Sequence, residues 1–177
     1  KQFPYVRQIV IVGHSGGAQV VQRYALLDHA QPALTDAGVK IRYVVANPSS
    51  YAYFDERRPM AFDHAKCPGF NRWKYGLTDL PLYASGQTAP QIEGNYVKRD
   101  VTYLLGKQDI DPQHPALDKG CEAEAQGANR LARGHCECAG DAEQSHHAEH
   151  RPGTLQAVLR KTQQQQRTHE HQRVATK

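Results

Sequence analysis

The pentapeptide Gly13-His14-Ser15-Gly16-Gly17 has the form G-x-S-x-G and lies between a β-branched run and a stretch of helical periodicity. A serine hydroxyl is a poor nucleophile until a base takes its proton and N–H groups receive the oxyanion that develops. The spacing suits that chemistry. A serine on a sharp strand-to-helix turn exposes its hydroxyl, and small neighbours let strand and helix approach without collision. Ser15 is therefore the candidate nucleophile. The N–H of Gly16, at the start of the helix, is the candidate oxyanion donor, with the helix dipole adding to the attraction for negative charge. The competing reading is a glycine-rich turn that binds a phosphate or only joins two elements.

The elements that must hold Ser15 are legible on both sides. Val6 to Val12 reads Val-Arg-Gln-Ile-Val-Ile-Val, which predicts a strand buried on both faces of a parallel sheet and stopped at Gly13. From Ala18 the period changes: Ala18, Val21, Tyr24, Ala25, Leu26 and Leu27 recur at helical spacing, with Gln19, Gln22, Arg23 and Asp28 between them. A polar turn over residues 35–38 leads to a second strand, Val39 to Ala46, punctuated by Asn47-Pro48. Strand, helix and strand in this order build an α/β sheet through a right-handed crossover. Residues 49–95, rich in Tyr, Pro, Gly and charge and without a period, read as a long loop excursion in the manner of a lid. Asp100 to Gly106 predicts a third strand, closed by the turn-prone Lys107 to Pro112, and the Ala-rich Cys121 to Arg133 predicts a helix.

A chain of 177 residues holds one core at most. The net charge of +4 comes from 22 Lys and Arg against 18 Asp and Glu without a dense basic run, so a nucleic-acid partner is not expected. No stretch approaches the ~20 apolar residues of a membrane span, and no signal-peptide pattern follows Lys1. Four cysteines are too few for a disulfide scaffold at this length, although one or two bridges fit. The residues are unevenly spread. Nine Tyr, four Phe and one Trp all lie between Phe3 and Tyr103, while six of the ten His follow Gly134. Two parts are expected: residues 1–134 with a core, and a His/Gln-rich tail over 135–177 whose only apolar cluster is Leu155, Val158 and Leu159. That tail buries too little to offset the entropy of ordering it, which predicts disorder or a frayed helix.

The segment Ile9 to Leu27 resembles the nucleophile elbow of the α/β-hydrolase superfamily, and the resemblance extends through the strands Val39 to Ala46 and Asp100 to Gly106 to about residue 134. It implies a mostly parallel α/β sheet with the elbow strand in its middle, and acyl transfer on a small-molecule ester or amide with no cofactor and no metal. In that superfamily the acid sits a few residues beyond a strand-ending glycine. Gly106-Lys107-Gln108-Asp109 has that form, so the acid role falls to Asp109, with Asp111 as the alternative and a backbone-capping Asp-Pro turn as the competing reading for both. Residues 47–54, 67–77 and 109–126 also resemble a little-characterised subgroup of these proteins. That resemblance implies a bridge between Cys67 and Cys121 near the acid loop, against two buried free thiols.

The general base has no assignment. The superfamily places it after a last central strand, and none of His114, His135, His146, His147, His150, His169 or His171 follows a strand-like run. His114 stands only five residues past Asp109. Few residues precede the elbow strand, so the sheet is expected to be incomplete, with exposed edges, and the isolated chain inactive. A tail of this composition is what a truncated or out-of-frame reading would produce, and equally what a natural tail would be. Cys136 and Cys138 with His146, His147 and His150 hold soft ligands at a spacing unlike the usual zinc sites, and no metal site is assigned. Oligomeric state and compartment are not specified. The function from another class that the chain could serve is a non-catalytic α/β interaction module, working through the Tyr-rich excursion.

Overall fold

A computed structural model describes residues 3–139 and 157–160. The elements are β1 (Gln8–His14), α1 (Gly16–Leu27), α2 (Gln31–Asp36), β2 (Lys40–Ala46), a 3-10 turn (Leu82–Ala84), α3 (Ala89–Tyr96), β3 (Asp100–Leu105), α4 (Cys121–Glu124), α5 (Arg130–Ala139) and β4 (Ala157–Arg160). The sheet runs in the order β1-β2-β3-β4; the first three strands are parallel, and β4 pairs antiparallel with β3. This is the expected mostly parallel α/β sheet with flanking helices.

Register explains which side chains form the core. Ile9, Ile11 and Gly13 stand opposite Ile41, Tyr43 and Val45, and Tyr43 and Val45 stand opposite Val101 and Tyr103, so these residues share one face. Against that face α1 lays Ala18, Val21 and Ala25, one helical stripe, all buried. Each large apolar side chain taken wholly out of water there contributes roughly 1.5–3 kcal/mol.

The expectation that the first strand is buried on both faces is corrected. Val10 and Val12 are 50% and 64% exposed, because they lie on the opposite face of β1, which is also one edge of the described sheet rather than its middle. The helix expected over Cys121 to Arg133 is also divided: α4 ends at Glu124, and α5 begins only at Arg130 and runs on to Ala139. Gly127, at φ 142, lies between them in a backbone conformation that interrupts a helix. β4 adds a strand that the sequence did not predict. Residues 135–139 continue α5, and residues 140–156 and 161–177 lie outside the described residues.

Residues 49–95 do not form a detached lid. Ser49, Ser50, Tyr51 and Ala52 are at most 2% exposed, although they belong to no strand or helix, and 89–96 form α3 behind a capping box made by Thr88 and Gln91. Buried backbone outside a ladder must find other partners. Here they are side chains. The Gln22 carboxamide oxygen accepts from the Ala52 N–H (3.0 Å), and Arg23 donates to the carbonyls of Ser50 and Lys74 (each 2.8 Å). Gln126 brackets Tyr51, accepting its N–H at 2.8 Å and donating to its carbonyl at 2.9 Å. Arg133, fully buried, donates to the carbonyls of Ser49, Asp118 (2.9 Å) and Gly127 (2.7 Å). Gln22 and Arg23 interrupt the apolar spacing of α1, yet both are buried and pin this segment.

Cys67 and Cys121 form a disulfide with Cα atoms 5.8 Å apart, which settles the choice left open between a bridge and free thiols. It joins residues 54 apart, and in the chain-entropy description closing a loop of that length stabilises by about 4 kcal/mol. No described helix is long and apolar enough to cross a membrane.

Candidate functional site

The carboxyl ends of β1, β2 and β3 meet at Ser15, Asn47 and Gly106, the end of a parallel sheet where loops diverge and ligands enter. Ser15 stands between β1 and α1 at φ 55, ψ −117, a region that costs a non-glycine residue energy. Two backbone bonds hold it there: its N–H donates to the Ala46 carbonyl (2.9 Å), and its carbonyl accepts from the Gln19 N–H (3.2 Å) to open α1. It occupies the N-cap position, but its hydroxyl makes no capping bond.

The glycines of the pentapeptide are not equivalent. A Cβ on Gly13 would stand 2.3 Å from the Gly17 carbonyl oxygen, so the strand end and the helix start approach as only glycine permits. At Gly16 and Gly17 a Cβ would meet nothing within 4 Å.

Asn47, at the end of β2, likewise has a positive φ, 47. Its N–H donates to the Leu104 carbonyl (2.9 Å), and its side-chain oxygen accepts from the Gly106 N–H (2.6 Å), tying the end of β2 to the start of the loop after β3. That loop then turns at Asp109, whose N–H donates to the Gly106 carbonyl (3.0 Å).

Ser15 and Asp109 line one cavity of about 340 Å³, together with His14, Asn47, His114 and Arg130. Among the described residues the partner of the Asp109 carboxylate is a cation: Arg130 Nη1 donates to its Oδ1 at 3.1 Å. Arg130 is 5% exposed and also donates through Nε to Ser49 Oγ (3.1 Å) and through Nη2 to the Ala116 carbonyl (2.8 Å). One guanidinium thus fastens the loop after β3 at two points and the segment after β2 at a third. Asp111 turns elsewhere, capping the Gln113 N–H at 2.8 Å, and is exposed.

Of the histidines weighed as bases, His114 lines the cavity; His135 is exposed on α5, and the other five lie outside the described residues. The side chains of Cys136 and Cys138 lie outside them as well. His14 lines the cavity too and stands next to Ser15 in the motif, a signal present in the sequence. Arg130 had no local signal, because its partners are 14 to 81 residues away.

The shifted carboxyls lie outside this cavity. Burial alone would raise the Asp28 carboxyl, but the Tyr43 hydroxyl (2.6 Å) and the Ala30 N–H (2.7 Å) donate to it, and together with Tyr24 and Arg99 they hold it below the usual carboxylate range. Asp118 is lowered in the same way: burial opposes, and the Gly120 N–H (3.1 Å), the Tyr75 hydroxyl (3.0 Å) and Lys74 prevail.

Comparison with protein-family profiles and with curated proteins gives no match. Among solved structures the chain is similar to poly(aspartic acid) hydrolase-1 from Sphingomonas sp. KT-1, at 32% identity and a TM-score of 0.52 over 76% of this chain and 41% of that one. It also matches LpqC, a poly(3-hydroxybutyrate) depolymerase from Bordetella parapertussis, at 24% identity and a TM-score of 0.49 over 75% of this chain and 36% of that one. The chain therefore spans about two fifths of the length of the first neighbour. With its parallel strands, the strand-turn-helix at Ser15 and the likeness to the Sphingomonas protein, the chain belongs to the α/β-hydrolase superfamily, of whose fold it carries a part.

Proposed function

We propose that this chain carries the nucleophile-to-acid portion of a serine hydrolase that cleaves an ester or amide by acyl transfer. The observation that carries this reading is Ser15, held at a strained turn between β1 and α1 with an uncapped hydroxyl on a cavity that Asp109 also lines. In this reading the turn is a nucleophile elbow: Ser15 attacks the carbonyl as a neutral base takes its proton, the Gly16 N–H helps to hold the oxyanion, and Asp109, through the oxygen not given to Arg130, orients that base and stabilises the cation it becomes. The substrate is a small ester or amide. The name of the Sphingomonas neighbour, a hydrolase of a polymeric amide, extends that class to chain-like substrates.

Among the described residues no hydrogen bond of the structure links a histidine to both Ser15 and Asp109, and our expectation is that the chain by itself is nearly inactive. A fluorophosphonate probe followed by peptide mapping tests both parts of the proposal. Slow labelling that accumulates at Ser15 ahead of the exposed Ser85, and is lost in Ser15→Ala, is the expected result. Rapid stoichiometric labelling at Ser15 would overturn the inactivity. Labelling at Ser15 no faster than at Ser85 would overturn the nucleophile.

The pairing of Asp109 with Arg130 favours a second reading, a non-catalytic module in which the turn is only structural. A variant Arg130→Met that left probe labelling of Ser15 untouched would support it.

A further inference from the structure

We propose that His114 is a hydrogen-bond donor to the carbonyl or carboxylate oxygen of an acyl ligand in the Ser15 cavity, a binding residue rather than the missing base. Its Nδ1 accepts the Ala116 N–H at 3.1 Å. A neutral imidazole carries one proton and one in-plane lone pair on its two nitrogens. With the lone pair of Nδ1 engaged by the backbone, the proton sits on Nε2. A general base needs the opposite arrangement, a free lone pair presented to the serine hydroxyl. Taking a proton at Nδ1 would break the bond to Ala116. What the ring offers the cavity is therefore an N–H.

The surroundings make this tautomer a property of the loop rather than of the ring. The His114 carbonyl accepts the Leu117 N–H (3.0 Å), closing the same turn, and Leu117 is buried. The Ala116 carbonyl is held from two sides, by Arg130 Nη2 (2.8 Å) and by Ser49 Oγ (3.2 Å). Ala116, whose N–H donates to Nδ1, is thus anchored through its carbonyl to buried groups outside the loop, and the half-buried His114 lines the cavity with Ser15 and Asp109. Assigning an acyl oxygen as the partner rests on the acyl-transfer reading above; the tautomer does not.

The experiment uses the full chain with 15N-labelled histidine and long-range 1H–15N correlation at mildly alkaline pH, with His114 identified by its loss in His114→Gln. The Nε2–H tautomer is expected, and an Nδ1–H tautomer would overturn the proposal. Acetate, a small carboxylate product of acyl transfer, is then titrated in. A saturable shift of the His114 ring is expected in the parent, and the affinity, read in parent and variants alike from backbone amide shifts around the cavity, should be about fivefold weaker in His114→Ala, the effect of one modest hydrogen bond. His114→Gln, which keeps an N–H, should retain affinity within about twofold. No saturable shift, or equal affinity in His114→Ala, would overturn the donor role. Neither measurement uses Ser15 as a nucleophile, so a Ser15 that never reacts with the fluorophosphonate would strike the hydrolase reading and leave these results standing.

Discussion

Strand β2 and the stretch just after it, residues 49–52, lie close together in the chain and both contribute to the core, but they satisfy their backbone in opposite ways. In β2 the N–H and carbonyl groups are taken up by ladders to β1 and β3, which any sequence of the right period can form. In the stretch after it, Gln22, Arg23, Gln126 and Arg133 do the same work with side chains that lie 27 to 84 residues away. A ladder tolerates substitution because its bonds are made by the backbone. An irregular buried segment depends on particular residues, each of which leaves a buried group without its partner when it is replaced. The site inherits both modes of support: Ser15 ends a strand in the ladder, and Asp109 is held by Arg130, which also binds Ser49 in the irregular stretch.

The largest expected effect is at Arg133. Replacing it by Met leaves the carbonyls of Ser49, Asp118 and Gly127 short of a donor, which should cost about 3–5 kcal/mol by urea denaturation with the disulfide intact. Hydrogen exchange sharpens the comparison: the Tyr51 and Ala52 amides should lose protection before those of β2. Equal loss in both would show that the two regions open as one unit.

Next in size is a contrast within the pentapeptide. Gly13→Ala should destabilise by about 2–3 kcal/mol, since its methyl meets the Gly17 backbone, while Gly17→Ala, in open space within α1, should stabilise by about 0.5–1 kcal/mol. Two changes of the same sign would break the assignment of Gly13 as the close contact.

The smallest effect is at Tyr43. Tyr43→Phe removes a hydroxyl that donates to the Asp28 carboxylate and should cost about 1.5 kcal/mol at neutral pH. The sign of the pH dependence follows from the lowered Asp28 carboxyl. The unfolded chain binds the proton first, so this stabilisation is present above about pH 4 and is lost as pH falls through the folded value. Stability measured from pH 6 down to pH 2 should therefore fall less steeply in Tyr43→Phe than in the parent. An unchanged slope would show that Tyr43 does not hold the carboxyl down.

Legibility in the sequence followed the range of the interactions. The three parallel strands and α1 were readable because their hydrophobic period is local, and Ser15 because strand, glycine and helix are contiguous. One feature was misread, and two others were not readable, for want of distant partners. Val10 and Val12 looked like core residues, but a β-branched run is the same whether one face of its strand is covered or two. Gln22 and Arg23 looked like ordinary polar positions of a helix until the chain after β2 folded onto them. His114 seemed too close to Asp109, although a turn closed by the Leu117 N–H places both on one cavity.

By itself the sequence determined the class of fold, the strained turn and the candidate nucleophile, because each depends on neighbours within about one helical turn or on a strand's own alternation. Only the tertiary structure decided that Cys67 pairs with Cys121, that Asp109 is held by Arg130, and that the segment after β2 is core rather than lid. Those are choices of partner among groups far apart in the chain, and they are made by which buried donor reaches which buried acceptor once the sheet has closed over them.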